Sequence, residues 1–503
     1  MNHLVACYAA LLAGMTLPAH GTSTPDFHPL AKLIQQTKKA TAYPSGTAIA
    51  VVKDGRIIYE GYFGFADMQA HTPVTRDTVF YIASATKPFF ALNALTKETT
   101  GKLDTHMSLQ QMFPSTQFTG FDAKSVTLWV LLIHTSGVDN QPLVWATAFS
   151  GIHNAQSLRR LVAASYPNAH VVRGAFKYTN VGYNIASVWM DGQFATPWQT
   201  QLDRAIFQPL KMQHTSASIS HAKAAGWPLA TPYSFIGHQP NKPLYLHKFD
   251  DTMQAAGGMV STAPDLARFL IAELSERDGA IAHAVIERSH QRQVKLDLHY
   301  MDFSRNGYAW GWYTGQYKGH AMLHHFGSFA GFHAHLSFMP DANIGLVVLN
   351  NENFLGAQLS NLIADDVYGL LLHQPGIASA VARRFDRLQS KARSVRIAAS
   401  ERLAVIHARP WKLSLPRADY AGTYTNELLG DMTVTLDGAQ TMHIRWGRVA
   451  SATTAGEQPD QIRVEFAPIN GNFLAFTVKD HKVAALHFEH MIFRRVRQAV
   501  ETR

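Results

Sequence analysis

SATKPFFALNALTKETT, residues 84–100, is the stretch on which the reading of this chain turns. Ser84-Ala85-Thr86-Lys87 heads the helical run Pro88–Thr100. A three-residue step on a helix sets Ser84 and Lys87 on one face. The pairing has a chemical use. A serine hydroxyl is a poor nucleophile until a neighbour removes its proton, and a desolvated lysine has its pKa lowered enough to do so. The helix N-terminus adds partial positive charge where an oxyanion would form. Ser-x-x-Lys alone is nonetheless a common tetrapeptide, so its meaning depends on the rest of the chain.

Two further stretches supply that context. Tyr178-Thr179-Asn180 follows Gly174-Ala175-Phe176-Lys177 and precedes Val181-Gly182-Tyr183. His325-Phe326-Gly327-Ser328 runs into Ala330-Gly331-Phe332 and a β-like segment. With these three motifs in this order, the chain resembles the serine β-lactamase and penicillin-binding-protein superfamily. The resemblance is to its class C-like branch of esterases, D-aminopeptidases and D-peptidases, whose motifs are Ser-x-x-Lys, Tyr-x-Asn and Lys-Thr-Gly or His-x-Gly. Gly64-Phe65-Ala66-Asp67, Leu132-Ile133-His134-Thr135-Ser136-Gly137 and Ala256-Gly257-Gly258-Met259-Val260-Ser261-Thr262 are similar to the family as well. The resemblance covers about residues 30–370. It implies an α+β fold of β-lactamase/transpeptidase type, an antiparallel sheet with a helical subdomain.

The resemblance also implies roles. Ser84 would attack the carbonyl and carry the acyl group, and Lys87 would share its proton. Tyr178 would be general base and relay, as a phenolate or by transfer coupled to Lys87. Asn180 would orient Lys87 and the substrate amide. The backbone N–H groups of Ser84 and Ser328, beside Gly327, would form the oxyanion hole. His325 takes the place of the third-motif lysine, so positive charge there depends on pH. Phe326 stands where β-lactamases place a carboxylate-binding threonine. Both departures weaken the case for an efficient β-lactamase or D-Ala-D-Ala carboxypeptidase.

Composition agrees with a folded multidomain protein. The chain has 503 residues, 47% hydrophobic and 16% charged, with mean hydropathy −0.09. That excludes a disordered or fibrous chain and predicts two or three domains. The run Leu4–Leu17, ending in Pro18-Ala19-His20-Gly21, reads as a signal peptide (1–21), which places the mature protein in the periplasm or outside the cell. Its start lacks Lys and Arg, so an N-terminal helix of a cytosolic protein stays open. Cleavage would remove Cys7, the one cysteine, and with it any disulfide, thiolate catalysis or Cys-ligated zinc. No other apolar run reaches the roughly 18–20 residues of a membrane span.

The catalytic domain is expected over 22–375. Within it Gly46–Lys53 and Arg56–Gly61 flank the hairpin signal Asp54-Gly55. Helical patterns follow at Thr127–His134 and Ala263–Arg277, then strands at Tyr308–Thr314, Met322–His325, Phe332–Met339 and Ile344–Leu349. Strands at both ends of the domain suggest a sheet whose terminal strands meet. Residues 376–414 read as a basic helical linker, with 376–408 helical. Between Arg383 and Arg417 ten Lys/Arg face only Asp386 and Glu401, so this segment holds most of the net charge of +9. It is a solvated helix or a weak contact for anionic surfaces. Nothing supports nucleic-acid binding.

From 415 to 503 short strands and turn signals at Asp437-Gly438 and Asn470-Gly471 indicate a small all-β antiparallel barrel, of the lipocalin-like type that accompanies several relatives.

His320, His324, His325, His333 and His335 crowd one region without a zinc-binding spacing, so neither metal nor cofactor is expected. Gly-x-Ser-x-Gly is absent, against an ordinary α/β-hydrolase. The expected function is an exported serine hydrolase acting on a small-molecule or peptide substrate. It would cleave an amide or peptide bond, D-residues included. A carboxylesterase of the same fold, or a penicillin-binding-like sensor with weak or no catalysis, is the alternative.

Overall fold

Asp54 and Gly55 both adopt positive φ (49° and 72°), as a two-residue turn between twisted strands requires, and join β1 (Thr47–Lys53) to β2 (Arg56–Phe63). The computed structural model describes residues 25–496; the expected signal segment and Cys7 lie outside the described residues. Six later strands complete an antiparallel sheet: β3 (Val294–Tyr300), β4 (Phe303–Tyr308), β5 (Tyr313–Tyr317), β6 (His320–Phe329), β7 (Phe332–Met339) and β8 (Ile344–Asn350). Their order is β2-β1-β8-β7-β6-β5-β4-β3. Thr47 pairs with Asn350, so the strands from the two ends of the domain lie side by side in the sheet, as expected.

The longer helices are α1 (His28–Ala40), α2 (Lys87–Thr99), α3 (Val181–Gln193), α4 (Ala263–Glu273), α5 (Leu355–Leu371) and α6 (Ile377–His407); α1, α4 and α5 pack on the sheet, while α2 and α3 belong to the helical subdomain. Strands β1, β7 and β8 are buried along nearly their whole length because both faces are covered. Ile49, Val51, Met339, Leu346 and Val348 pack on α1, α5 and the start of α6. Ala48, Ala50, Leu336, Phe338 and Leu349 face the helical subdomain, including Phe89 of α2 and Phe269 of α4.

Three elements differ from expectation. Tyr308–Thr314 is not one strand: the chain turns between β4 and β5, and Tyr308 pairs with Tyr313. Gly311 (φ 83°) explains the turn. A Cβ there would lie 2.6 Å from Cα of Pro88, so the turn presses on the start of α2. Helix α6 is not simply solvated. Val381 and Phe385, one turn apart, are buried in the core behind the sheet. In the C-terminal domain the Asn470-Gly471 signal is off by two residues, since Asn470 already begins a strand and the turn falls at 468–469.

That domain is a nearly closed antiparallel barrel of nine strands: β9 (Gly422–Asn426), β10 (Gly430–Leu436), β11 (Met442–Trp446), β12 (Val449–Ala452), β13 (Thr454–Ala455), β14 (Gln461–Ala467), β15 (Asn470–Lys479), β16 (Lys482–Phe488) and β17 (Met491–Arg495). Alternating residues such as Met432, Val434, Ile444, Trp446, Leu474, Leu486 and Phe488 fill it. Among the described residues no helix is long and apolar enough to cross a membrane.

Candidate active site

Ser84 lies in a 3₁₀ turn, Ala83–Thr86, that leads directly into α2. Strand β6 lies against this turn, and Gly327 makes the approach possible. A Cβ on Gly327 would collide with the carbonyl oxygen of Ile82 and come 3.1 Å from the Ala85 nitrogen. Pairing of β6 with β5 ends at His324, so on that side the segment His325–Phe329, with Ser328 in it, has no strand partner beside the Ser84 turn.

Lys87 is fully buried, and its amine makes three contacts. Nζ lies 2.9 Å from Asn180 Oδ1, 2.7 Å from the carbonyl oxygen of Ala256 and 3.3 Å from Ser84 Oγ. Burial without a carboxylate holds its pKa well below the ordinary lysine value. A neutral amine has two N–H bonds. Asn180 and Ala256 can only accept, so they take both, and the lone pair is left for Ser84.

Tyr178 lies beside Ser84, and Lys87 Nζ lies 4.7 Å from its ring centre. Burial raises the Tyr178 pKa far above that of free tyrosine, and the neighbouring Ser84 hydroxyl only partly opposes this. The side chain is therefore a phenol at neutral pH. A resting phenolate, one of the two forms the resemblance allowed, does not fit this environment.

His134 holds the second motif in place. Its Nδ1 accepts the N–H of Thr179 (3.4 Å), so Nε2 carries the proton and donates to Tyr308 Oη (3.1 Å).

His325 corrects the reading of the third motif. It is 1% exposed, and burial, reinforced by Lys87 when protonated and by the charge of Arg305, drives its pKa well below 6.5. Nδ1 faces the Phe326 carbonyl oxygen at 2.9 Å and so carries the single proton. The residue is uncharged across the physiological range and does not replace a lysine cation.

Phe326, one step along the strand, points to the other side of the sheet and packs on Tyr300, Phe303 and His335. It does not stand in the place of a carboxylate-binding threonine side chain.

A cation lies near the edge of the site, on a strand the motifs do not touch, held against His324 and the far-face rings of Tyr300 and Phe326 and reaching the site side through Tyr313. Arg305 of β4 stacks its guanidinium 3.7 Å from the ring centre of Tyr313, and Nε donates to His324 Nε2 (3.1 Å). Tyr313 in turn lies 6.2 Å from Tyr178 and 5.7 Å from His325, ring to ring. Among the described residues no carboxylate pairs with Arg305.

Two of the other clustered histidines have protein partners: His335 Nε2 meets Ser337 Oγ at 2.7 Å, and His324 Nε2 accepts from Arg305, while His333 Nδ1 is buried without one among the described residues. No group of three or more His, Cys, Asp or Glu among the described residues is arranged to hold a metal ion.

A hydroxyl that can pass its proton to a neutral amine, beneath an unpaired strand edge, is equipped to attack a carbonyl. Fold and site together define a serine hydrolase on the β-lactamase/transpeptidase plan. The Beta-lactamase family model matches residues 30–366, and the chain belongs to that family. Unguisins hydrolase ungD of Aspergillus violaceofuscus (strain CBS 115571) is 25% identical over 475 residues, covering 86% of this chain and 80% of that protein. Protein flp of Staphylococcus aureus (strain COL) is 24% identical over 312 residues, covering 61% of this chain and 60% of that protein.

Among solved structures, the octameric penicillin-binding protein homologue from Pyrococcus abyssi has a TM-score of 0.59 at 21% identity, covering 92% of this chain and 99% of its own. A class C beta-lactamase has 0.55 at 19%, covering 69% and 96%. These two likenesses concern the fold alone.

Proposed function

We propose that this serine hydrolase cleaves a peptide or other amide bond, D-residue-containing substrates included, through an acyl-enzyme on Ser84. The observation that carries the reading is the Lys87 amine, with two fixed acceptors and its third direction on Ser84 Oγ at 3.3 Å. Lys87 takes the hydroxyl proton as Oγ attacks the substrate carbonyl. The backbone N–H groups of Ser84 and Ser328 receive the oxyanion. Tyr178, as a phenol, gives its proton to the leaving nitrogen and regains one from Lys87. Water then attacks the acyl-enzyme by the same path in reverse.

One observation favours a substrate with a free carboxylate, such as a peptide, over a simple ester. Arg305 offers a guanidinium that pairs with no carboxylate among the described residues, suited to a terminal carboxylate. A relative aligned over 86% of this chain is named a hydrolase, which supports bond hydrolysis as such. The N-terminal run Leu4–Leu17 supports export to the periplasm or medium, and N-terminal sequencing of the secreted protein checks that part.

The test is fluorophosphonate labelling with peptide mapping, in wild type and Ser84→Ala. A panel follows: peptides with D- or L-residues at the scissile bond, their C-terminal amides, nitrophenyl esters and a cephalosporin. The label should map to Ser84, and peptides with a free carboxylate should give the highest kcat/KM. Label persisting in Ser84→Ala overturns the nucleophile; esters of matched leaving-group reactivity outranking peptides overturn the substrate class.

A further inference from the structure

The barrel meets the catalytic domain in part through residues 141–152, beside contacts from Tyr166, Phe249 and Asp251. Trp145 leaves the helix Gln141–Trp145 to lie among the barrel aromatics, with ring centres 4.8 Å from Phe488, 5.8 Å from Trp446 and 6.2 Å from Phe466. Its indole N–H donates to Glu489 (3.4 Å). The barrel rim is shaped to receive this segment. A Cβ on Gly430 would lie 2.9 Å from Ile152 Cγ2, and one on Gly447 would collide with the Ser150 carbonyl oxygen. The N–H of Arg448 donates to that same carbonyl (2.8 Å), and its guanidinium pairs with Asp251 (2.8 Å).

The other side of the segment faces the catalytic site. Phe149 lies 4.5 Å from Trp145 and 5.7 Å from Phe329, which follows Ser328 on β6. The Ala148 carbonyl accepts a hydrogen bond from Lys248 Nζ (2.7 Å), and that nitrogen sits 3.9 Å from the Phe329 ring centre. Thr147 Oγ1 accepts from Asn184 (3.0 Å), one turn along α3 from Asn180. Phe329, Phe332, Tyr81 and Lys248 line a largely apolar recess of about 190 Å³ beside the third motif.

We propose that the barrel is a positioning element of the active site: it grips Trp145, Phe149 transmits that grip to Phe329, and Phe329 sets the recess wall that receives an apolar part of the substrate. Trp145 and Phe149 are thus positioning residues that never touch the reacting atoms. The inference rests on the acyl-enzyme reading above for its substrate, but the contact itself is independent of it.

The test uses the full chain and the best peptide of the panel. Trp145→Ala should raise KM about tenfold while kcat and the rate of Ser84 labelling by a small fluorophosphonate stay within about threefold, the pattern of a displaced wall with an intact nucleophile. Trp145→Phe should restore most of the loss. The pair Trp145→Ala/Phe149→Ala should be no worse than Phe149→Ala alone, because both act through one contact. Arg448→Ala, which leaves both domain cores intact, should shift KM the same way and covers the case in which Trp145→Ala does not fold.

Hydrogen exchange gives a readout free of turnover: the backbone at 328–332 should exchange faster in Trp145→Ala or, should that fail to fold, in Arg448→Ala. Unchanged exchange there, additive losses in the pair, or a fall in labelling that tracks turnover overturns the coupling. Failure of the unmodified enzyme to label at Ser84 counts against the acyl-enzyme reading alone.

Discussion

Lys87 is fully buried and Lys248 half-buried; among the described residues neither amine has a carboxylate partner, and each gives hydrogen bonds to two fixed acceptors. Lys87 bonds Asn180 and the Ala256 carbonyl; Lys248 bonds the carbonyls of Ala148 (2.7 Å) and Thr252 (3.2 Å). Burial lowers both pKa values, that of Lys248 to about 7. What separates them is the third direction. For Lys87 it is a serine hydroxyl, for Lys248 the face of Phe329. A lone pair aimed at a hydroxyl makes a base, while an ammonium over a ring makes a strut between loops. Burial alone does not mark a catalytic lysine; the unassigned neighbour does.

Four substitutions break or sharpen this contrast. Lys87→Met, close in shape and without an amine, should lower kcat/KM about a thousandfold, the scale of losing a general base, with the protein still folded by circular dichroism. In wild type, kcat/KM on a neutral substrate should rise with pH through the depressed Lys87 pKa and then level off, since only the neutral amine accepts a proton. A residual activity in Lys87→Met within tenfold of wild type would put the base elsewhere.

Arg305→Gln should cost about tenfold in KM for a peptide with a free carboxylate and leave its C-terminal amide unchanged, as expected for one charge-assisted contact. The same pair separates Arg305 from His325. An uncharged His325 predicts no gain for the acid over the amide as pH falls toward 6, in wild type or in His325→Ala. A gain that vanishes in His325→Ala would restore the histidine cation that the sequence suggested.

Lys248→Met should have the smallest effect on turnover, less than threefold by steady-state kinetics. Its signature is stability. The folded pKa of about 7 lies below the unfolded value, so between about pH 7 and 10 the unfolded chain binds more protons and stability rises with pH. Removing the amine should flatten part of that rise in thermal melts. At pH 9 it should cost about 1–3 kcal/mol, because two buried carbonyls lose their donor. An unchanged pH slope would show that Lys248 keeps an ordinary pKa.

The sequence made the nucleophile legible because the chemistry demands particular residue types at fixed spacing: Ser84 and Lys87 on one turn, then Tyr178, Asn180 and Gly327. The last of these is readable as a close-approach glycine only once β6 is seen against Ile82. Strand periodicity alone puts His325 and Phe326 on opposite faces, so the orientation of Phe326 is legible in the sequence. The charge of His325 was out of reach, since burial by Tyr178, Tyr308 and Tyr313 decides it. Arg305 carries no motif. It enters the site because β4 lies two strands from β6, a consequence of sheet order. Barrel strands announced themselves by alternation, but Trp145 reads in sequence as one more apolar helix residue, with nothing to say that its partners lie some 300 residues later.

The central claim is a covalent intermediate on Ser84 formed with Lys87 as base. Its most direct test is rapid acid quench of the enzyme during turnover of the best peptide, followed by intact-mass measurement and peptide mapping. A mass increase equal to the substrate's acyl portion, localised to Ser84 and absent in Ser84→Ala and Lys87→Met, is the predicted result. Turnover that persists in Ser84→Ala, or an acyl group mapped to any other side chain, would contradict it.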